Sequence, residues 1–365
     1  MKRVRGPPDT VKAEDASRRR GTLLPFAPMR ALVCEAPGRA DLVQRPDPVP
    51  GPGAIVVRVK AALTCGTDLK LFRRGHPKVP FPVTLGHEMA GVVEAAGAGA
   101  PFVPGERVTS AVSAPCGACT ACRAGRTNLC ETAFAEPLWG AFAEFVLLPA
   151  RLVRGAVRRL PEGLSFDAAA LLDPLASVVH ALSRVPPVAG RAVLIAGSGP
   201  IAALQLLLLR RDAGKIVVAG VEPARLLFLE GEGAETVCLD GRRPAEAIRS
   251  ALPGLFDLVI DTTGSPDVAS SLVGKVAPGG TLLLFAGMAA GTTIAADAFR
   301  VHYEEVSVLG SFHYTSADAN RALGLLASGA IPFPVLLSKR RALGEWREAF
   351  DEVERGEVMK VVLAP

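Results

Sequence analysis

Nothing in the 365-residue sequence reads as a membrane span. The segment that comes nearest, Ala192 to Leu209, is uncharged but carries Gly197, Ser198, Gly199 and Pro200 in its middle. A strand, a glycine turn and a buried helix explain it better. Residues 1–28 lack the apolar stretch that follows the charged start of a secretory leader. No internal repeat is visible, and no low-complexity tract beyond those first residues. The seven cysteines are an odd number, which does not suit a secreted disulfide framework in a chain of this length. A reducing cytoplasm is the expected compartment, with no membrane partner. A charge excess is also missing from most of the chain. The formal net charge of +5 is carried mainly by residues 1–28, which hold seven basic and three acidic side chains. The remainder is close to neutral, so a nucleic-acid surface is excluded there.

What is present is core material: 49% hydrophobic and 21% charged residues over a length that suits about two domains. Residues 1–28, rich in Arg and Pro, read as a flexible basic extension. Residues 29–175 are short β runs broken by Gly and Pro, such as Gly53–Lys60 and Ala90–Ala95. From 176 to 308 apolar strands alternate with helical stretches: Arg191–Ala196, Lys215–Ala219, Thr236–Leu239, Phe256–Asp261 and Gly280–Phe285. That alternation predicts βαβ units and a doubly wound parallel sheet. From about Leu309 the chain leaves this sheet, with a helix near Glu345–Arg355 and a last strand at Lys360–Leu363.

Four cysteines fall within fifteen residues, Cys116, Cys119, Cys122 and Cys130, spaced C-x2-C-x2-C-x7-C. Four thiolates this close can wrap one tetrahedral zinc ion in a closed structural site. Arg123 and Arg126 inside the loop offset the negative charge. A nucleic-acid zinc module would need a recognition helix and a basic face, which are missing. A second set is looser. Cys65-Gly-Thr67-Asp and Gly86-His87-Glu88 offer a thiolate, an imidazole and a carboxylate, and Asp173 sits in an otherwise apolar stretch. Each alone has a plainer reading: a buried core thiol, a core histidine, a cap of the helix that follows Pro174. Together they match a catalytic zinc pattern with an open position.

Gly197-Ser-Gly199-Pro200-Ile201-Ala202 follows an apolar strand and opens a helix, matching G-x-G-x-x-G/A in the required context. Pyrophosphate would sit at that helix N-terminus. At the end of the next strand, where a carboxylate usually meets the adenosine ribose, stands Gly220. A glycine leaves room for a 2′-phosphate, with Arg225 or Lys215 to neutralise it, and this tilts the reading towards NADP. Glu222, two residues later, argues for NAD.

From residue 29 to 365, these motifs, with Gly140-Ala-Phe-Ala-Glu-Phe145 and Asp173-Pro-Leu, resemble the zinc-containing medium-chain dehydrogenase/reductase family of alcohol, sorbitol and threonine dehydrogenases. The resemblance implies a GroES-like, mostly-β catalytic domain, a Rossmann domain, and a C-terminal return of residues 309–365 to the catalytic domain. It implies an oxidoreductase that moves hydride reversibly between an alcohol or polyol carbon and NAD(P), with two zinc ions per chain, as a homodimer or homotetramer. Matched residue by residue, Cys65, His87 and Asp173 fall on the catalytic zinc ligands, and Glu88 on the acid beside the metal. Cys116, Cys119, Cys122 and Cys130 fall on the structural set. Thr67 matches the hydroxyl that starts the proton relay, and Ile201 the residue packed behind nicotinamide. Lys360 falls near the pyrophosphate, and Lys70 stands where many members carry the histidine that ends the relay. The competing readings are a zinc-independent enone or quinone reductase of the same fold, and a non-enzymatic nucleotide-binding zinc protein.

Overall fold

The computed structural model describes residues 28–76 and 79–365. The extension placed at 1–28 lies outside the described residues, apart from Pro28. β1 (Met29–Ala36) and β2 (Arg39–Arg45) form a hairpin, and β3 (Ile55–Leu63) opens the main sheet of the first half. β3 buries Ile55, Val57, Val59 and Ala61 while Arg58 and Lys60 stay exposed, a period-two pattern that fixes which face meets the core. Helix α1 (Gly66–Arg74), β4 (Val83–Thr84), β5 (Met89–Ala96) and β6 (Arg107–Ser110) follow. The short α2 (Thr120–Arg123), β7 (Phe145–Leu148), α3 (Ala150–Gly155), β8 (Val157–Arg159) and α4 (Phe166–Ala169) lead to α5 (Leu172–Leu182). The expected boundary between 175 and 176 falls inside α5. Apolar residues keep the helical period on both sides of it, so the change of composition there does not break the helix.

The second half alternates as expected: β9 (Ala192–Ala196), α6 (Pro200–Leu209), β10 (Lys215–Gly220), α7 (Pro223–Gly231), β11 (Glu235–Cys238), α8 (Pro244–Ala251), β12 (Phe256–Asp261), α9 (Pro266–Val273) and β13 (Val276–Leu284). Helix α10 (Ala298–Tyr303) and β14 (Ser307–Gly310) complete it. The six strands are parallel in the order β11-β10-β9-β12-β13-β14. The order reverses about β9, which opens a crevice at the carboxyl end of that strand. The chain leaves this sheet after Gly310. As an edge strand β14 is exposed at Ser307, Val308 and Gly310, so it lacks the apolar run that marks the inner strands.

The chain then returns. Helix α11 (Ser316–Ala327), β15 (Leu337–Ala342), α12 (Trp346–Glu354) and β16 (Lys360–Ala364) follow. β16 enters between β15 and β3, completing the order β15-β16-β3-β5-β6-β8, with β7 also paired to β3. One apolar cluster joins this sheet, α5 and one face of the parallel sheet, and a second fills the other face. Among the described residues, no helix is long and apolar enough to cross a membrane.

Candidate active site

Pairing of β3 with β5 lays two loops side by side, with the Leu63 N–H donating to the Glu88 carbonyl at 2.9 Å. Cys65 follows β3 as the N-cap of α1, and His87 and Glu88 precede β5. One ligating atom from each of Cys65, His87 and Glu88 lies within 4.8 Å of the others. Gly86 makes the approach possible. It holds φ at +90°, and a Cβ there would meet the Phe142 amide nitrogen at 2.6 Å. Beneath the cluster, Asp68 is fully buried; its Oδ1 accepts from the Gly86 N–H at 3.0 Å and lies 3.2 Å from His87 Nδ1. Burial opposes a charged His87, but the charges of Asp68 and Cys65 outweigh it and raise its pKa well above the ordinary value. A half-buried thiol beside a buried imidazole and a buried carboxylate, backed by a second carboxylate, calls for a cation, which is the chemistry of a metal site.

Two expected placements change. Lys360 does not reach towards the glycine turn. It is buried at 2% exposure, with its Nζ 2.6 Å from Glu88 Oε2 and 2.9 Å from the Thr64 carbonyl, because β16 docks beside the loop after β3. Burial opposes the Lys360 charge, yet Glu88 and Cys65 hold it in the ammonium form and raise its pKa. Asp173 faces the same cleft but stands outside the close ligand group. Its Oδ1 accepts from the Val112 N–H at 3.1 Å and from the Tyr314 hydroxyl. Burial, and then the Asp173 charge, keep that tyrosine protonated well above its usual range.

The four-cysteine loop is brought together as its spacing implies. The Sγ atoms of Cys116, Cys119, Cys122 and Cys130 lie within 4.8 Å of one another. The N–H groups of Ala118 and Cys119 donate to Cys116 Sγ at 3.4 and 3.3 Å, and the Cys116 N–H donates to Cys130 Sγ at 3.2 Å. Those amides draw the Cys116 thiol down to about 6, while burial pushes Cys122 up to about 12. Amide-lined thiolates around a small apolar knot fit a closed metal site.

A cleft of about 750 Å³ lies between the two halves. Cys65, Thr67, Lys70, His87, Glu88, Asp173 and Lys360 line one side. Gly197, Gly199, Pro200, Ile201, Gly220 and Arg225 line the other. Gly197 holds φ at +112° and a Cβ there would strike Thr262 Oγ1, whereas a Cβ on Gly199 would meet nothing within 4 Å. Pro200 starts α6, and the fully buried Ala202 lets that helix lie close to the sheet. This is a cradle that pyrophosphate fits. The space expected at Gly220 is not there. A Cβ would lie 2.6 Å from Ser198 Cβ and collide with its hydroxyl. Arg225 is not free either: its Nε donates to the Val358 carbonyl at 3.1 Å and its Nη2 to the Val353 carbonyl at 2.7 Å. Lys215 lies at the other end of β10, 2.6 Å from Glu235.

Asp68, Ser198, His313 and Tyr314 were not singled out from sequence. Asp68, three residues after Cys65, is the one a helical reading of the Cys65-Gly-Thr-Asp motif could have found. His313 and Tyr314 follow β14, far from the other site residues in the chain, and carry no local signal. Phe285 reaches the cleft, while Phe72 packs in the core 5.6 Å from Trp346 and Trp139 packs edge-on to His87 at 5.2 Å. A second cleft of about 830 Å³ between α8 and α9 is lined by Arg242, Arg243, Arg249 and Lys275, and holds none of the ligating side chains.

Comparison with known proteins agrees with this geometry. Residues 51–157 match the alcohol dehydrogenase GroES-like domain and residues 200–328 the zinc-binding dehydrogenase family. The D-altritol 5-dehydrogenase of Agrobacterium fabrum is 33% identical over 87% of this chain and 94% of its own. The L-galactonate-5-dehydrogenase of Escherichia coli is 29% identical over 92% and 98%. A protein of Sinorhizobium meliloti assigned as a zinc-binding dehydrogenase and solved bound to NADP superposes with a TM-score of 0.82. It is 32% identical, covering 93% of this chain and 100% of that one. With its GroES-like sheet, its Rossmann sheet and two clusters fit for zinc, the chain belongs to the zinc-containing medium-chain dehydrogenase/reductase family and is an NAD(P)-dependent alcohol dehydrogenase.

Proposed function

We propose that the protein oxidises a secondary alcohol of a polyol or sugar-derived acid, reversibly, to the ketone. The observation that carries this is the Cys65, His87 and Glu88 group facing the Gly197–Ala202 turn across one cleft. The polar side chains that line part of that cleft, Thr67, Lys70, Ser177, Ser311 and His313, suit a substrate with several hydroxyls. Relatives named for D-altritol and L-galactonate support the substrate class.

Cys65, His87 and Glu88 would hold the catalytic zinc, with Asp173 facing it from α5, and Cys116, Cys119, Cys122 and Cys130 the structural one. Bound zinc supplies a Lewis acid for the alcohol oxygen, and bound nicotinamide a hydride acceptor. The chain does the rest. Asp68 fixes the ring of His87. Thr67 Oγ1 would take the hydroxyl proton as it releases its own to solvent water on the exposed side of α1, where Lys70 stands. Ile201 would back the nicotinamide ring, and the amides of the turn would hold the pyrophosphate. The two halves then supply opposite walls, which aligns the reacting carbon with the acceptor.

The two sheets support a division into a GroES-like part (29–175 with 309–365) and a Rossmann part (176–308). The exposed edge of β14, with Val308 and the exposed Phe299 and Tyr303 of α10, supports a homodimer through paired edges. Seven unpaired thiols suit a reducing cytoplasm.

The test is cofactor reduction, followed by absorbance, against polyols, aldonates and simple secondary alcohols with both cofactors. Cys65→Ala and His87→Ala should keep the native circular dichroism, lose one of two zinc ions, and lose turnover. Full activity in either would remove Cys65 and His87 from the metal site.

A further inference from the structure

We propose that Glu222, rather than a residue at the end of β10 itself, binds the adenosine ribose and selects NAD over NADP. This rests on the dehydrogenase reading above. The usual place for the acid is closed. Gly220 is buried against Ser198, and any side chain there meets it. The nearest carboxylate on the cleft wall is Glu222, two residues past the end of β10 and at the N-cap of α7.

Its side chain is held from two sides. The Ser198 hydroxyl, from inside the glycine turn, donates to Glu222 Oε2. On the other side lies Gly356, from the turn between α12 and β16, which holds φ at +72°. A Cβ at Gly356 would meet Glu222 Cγ at 2.7 Å. With Oε2 engaged, Oε1 lies 4.0 Å from Arg225 Nη1 and is left to accept from a ribose hydroxyl. A carboxylate prepared in this way favours the diol of NAD and repels the dianionic 2′-phosphate of NADP.

Arg225, the arginine beside Glu222, is held in place by its own bonds and pairs with that carboxylate. Arg225 gives Nε and Nη2 to main-chain carbonyls of the catalytic half. Lys215 is at the far end of β10, and Arg242 and Arg243 face the neighbouring cleft. Glu222 is therefore a specificity residue set by three contributions: a serine from the pyrophosphate turn, a glycine from the other domain, and Arg225, which pairs with it while tied to main-chain carbonyls of the catalytic half.

The experiment is calorimetric titration of the full-length protein with NAD+ and with NADP+, in the absence of any alcohol. The wild type should bind NAD+ at least about tenfold more tightly than NADP+. Glu222→Gln should shrink that ratio by about tenfold or more with little change in melting temperature, and Ser198→Ala should shrink it by less. Equal or tighter binding of NADP+ by the wild type, or an unchanged ratio in Glu222→Gln, would overturn the proposal and leave the dehydrogenase reading intact. Binding of neither cofactor by the wild type would overturn both.

Discussion

Lys360 and Glu88 form an ion pair at 2.6 Å, with side chains only 3% and 2% exposed. Burying two charges is costly, and leaving one alone costs more. Lys360→Met should therefore destabilise the fold by about 3–5 kcal/mol. The double change with Glu88→Gln should recover part of that loss in a denaturant titration. A single substitution that costs nothing would show the pair to be solvated. Gly220 is the residue where reasoning from the sequence alone misleads. Removing its hydrogen in favour of a carboxylate, Gly220→Asp, looks like a route to NAD preference. The contact with Ser198 makes it a steric insult instead. The variant should lose affinity for both cofactors and lose stability, as paired titration and thermal melts would show. Cys65, His87 and Glu88 were legible because their residue types and short motifs are local. The pairing of Asp173 with Tyr314 was not, because the partner lies 141 residues away.

Elements carry their own tests. Glu352 on α12 accepts from Lys339 Nζ at 2.6 Å and from Arg341 Nη2 at 2.7 Å, and so ties the last helix to β15. The bonds from Arg341 and then Lys339 hold its carboxyl at about 2, below its ordinary 4.5. A depressed carboxyl contributes stability that is complete above the unfolded-state pKa and is lost as pH falls through the folded one. Glu352→Gln should thus cost roughly 1–2 kcal/mol at neutral pH and flatten the loss of stability between about pH 5 and pH 2. Melts across that range check both. In the four-cysteine loop, Cys119→Ser should lower the melting temperature and release one zinc ion while sparing turnover at low temperature. Loss of turnover with an unchanged melt would give that loop a catalytic role. The inner strands of the parallel sheet were legible as apolar runs bounded by turns. β14 was not picked out at all, because an exposed edge strand has no such run.

At the scale of the whole molecule, the return of the chain after Gly310 is what closes the site. β16 carries Lys360 to Glu88, the turn before it packs Gly356 on Glu222, and Val353 and Val358 receive Arg225. Both ends of the cleft are thereby tied to one C-terminal segment. One edge of the parallel sheet is β14. If two copies pair there, light scattering should give a dimer or a multiple of it, and Val308→Lys should yield monomers that keep their fold. A wild type that is monomeric at assay concentration would rule out that interface.

The sequence by itself determined the chemistry that depends on neighbours in the chain. The four-cysteine spacing, the glycine turn after its strand, and the βαβ alternation are local patterns, carried by residues close together in the chain. Tertiary structure decided what depends on distance in space rather than in sequence. It placed Lys360 on Glu88 instead of the pyrophosphate turn, gave Asp173 a tyrosine, and filled the space at Gly220 with Ser198. The physical reason is the same each time. A buried charge takes whatever partner packing brings within hydrogen-bond reach, and packing at the junction of two sheets is not written in either segment alone.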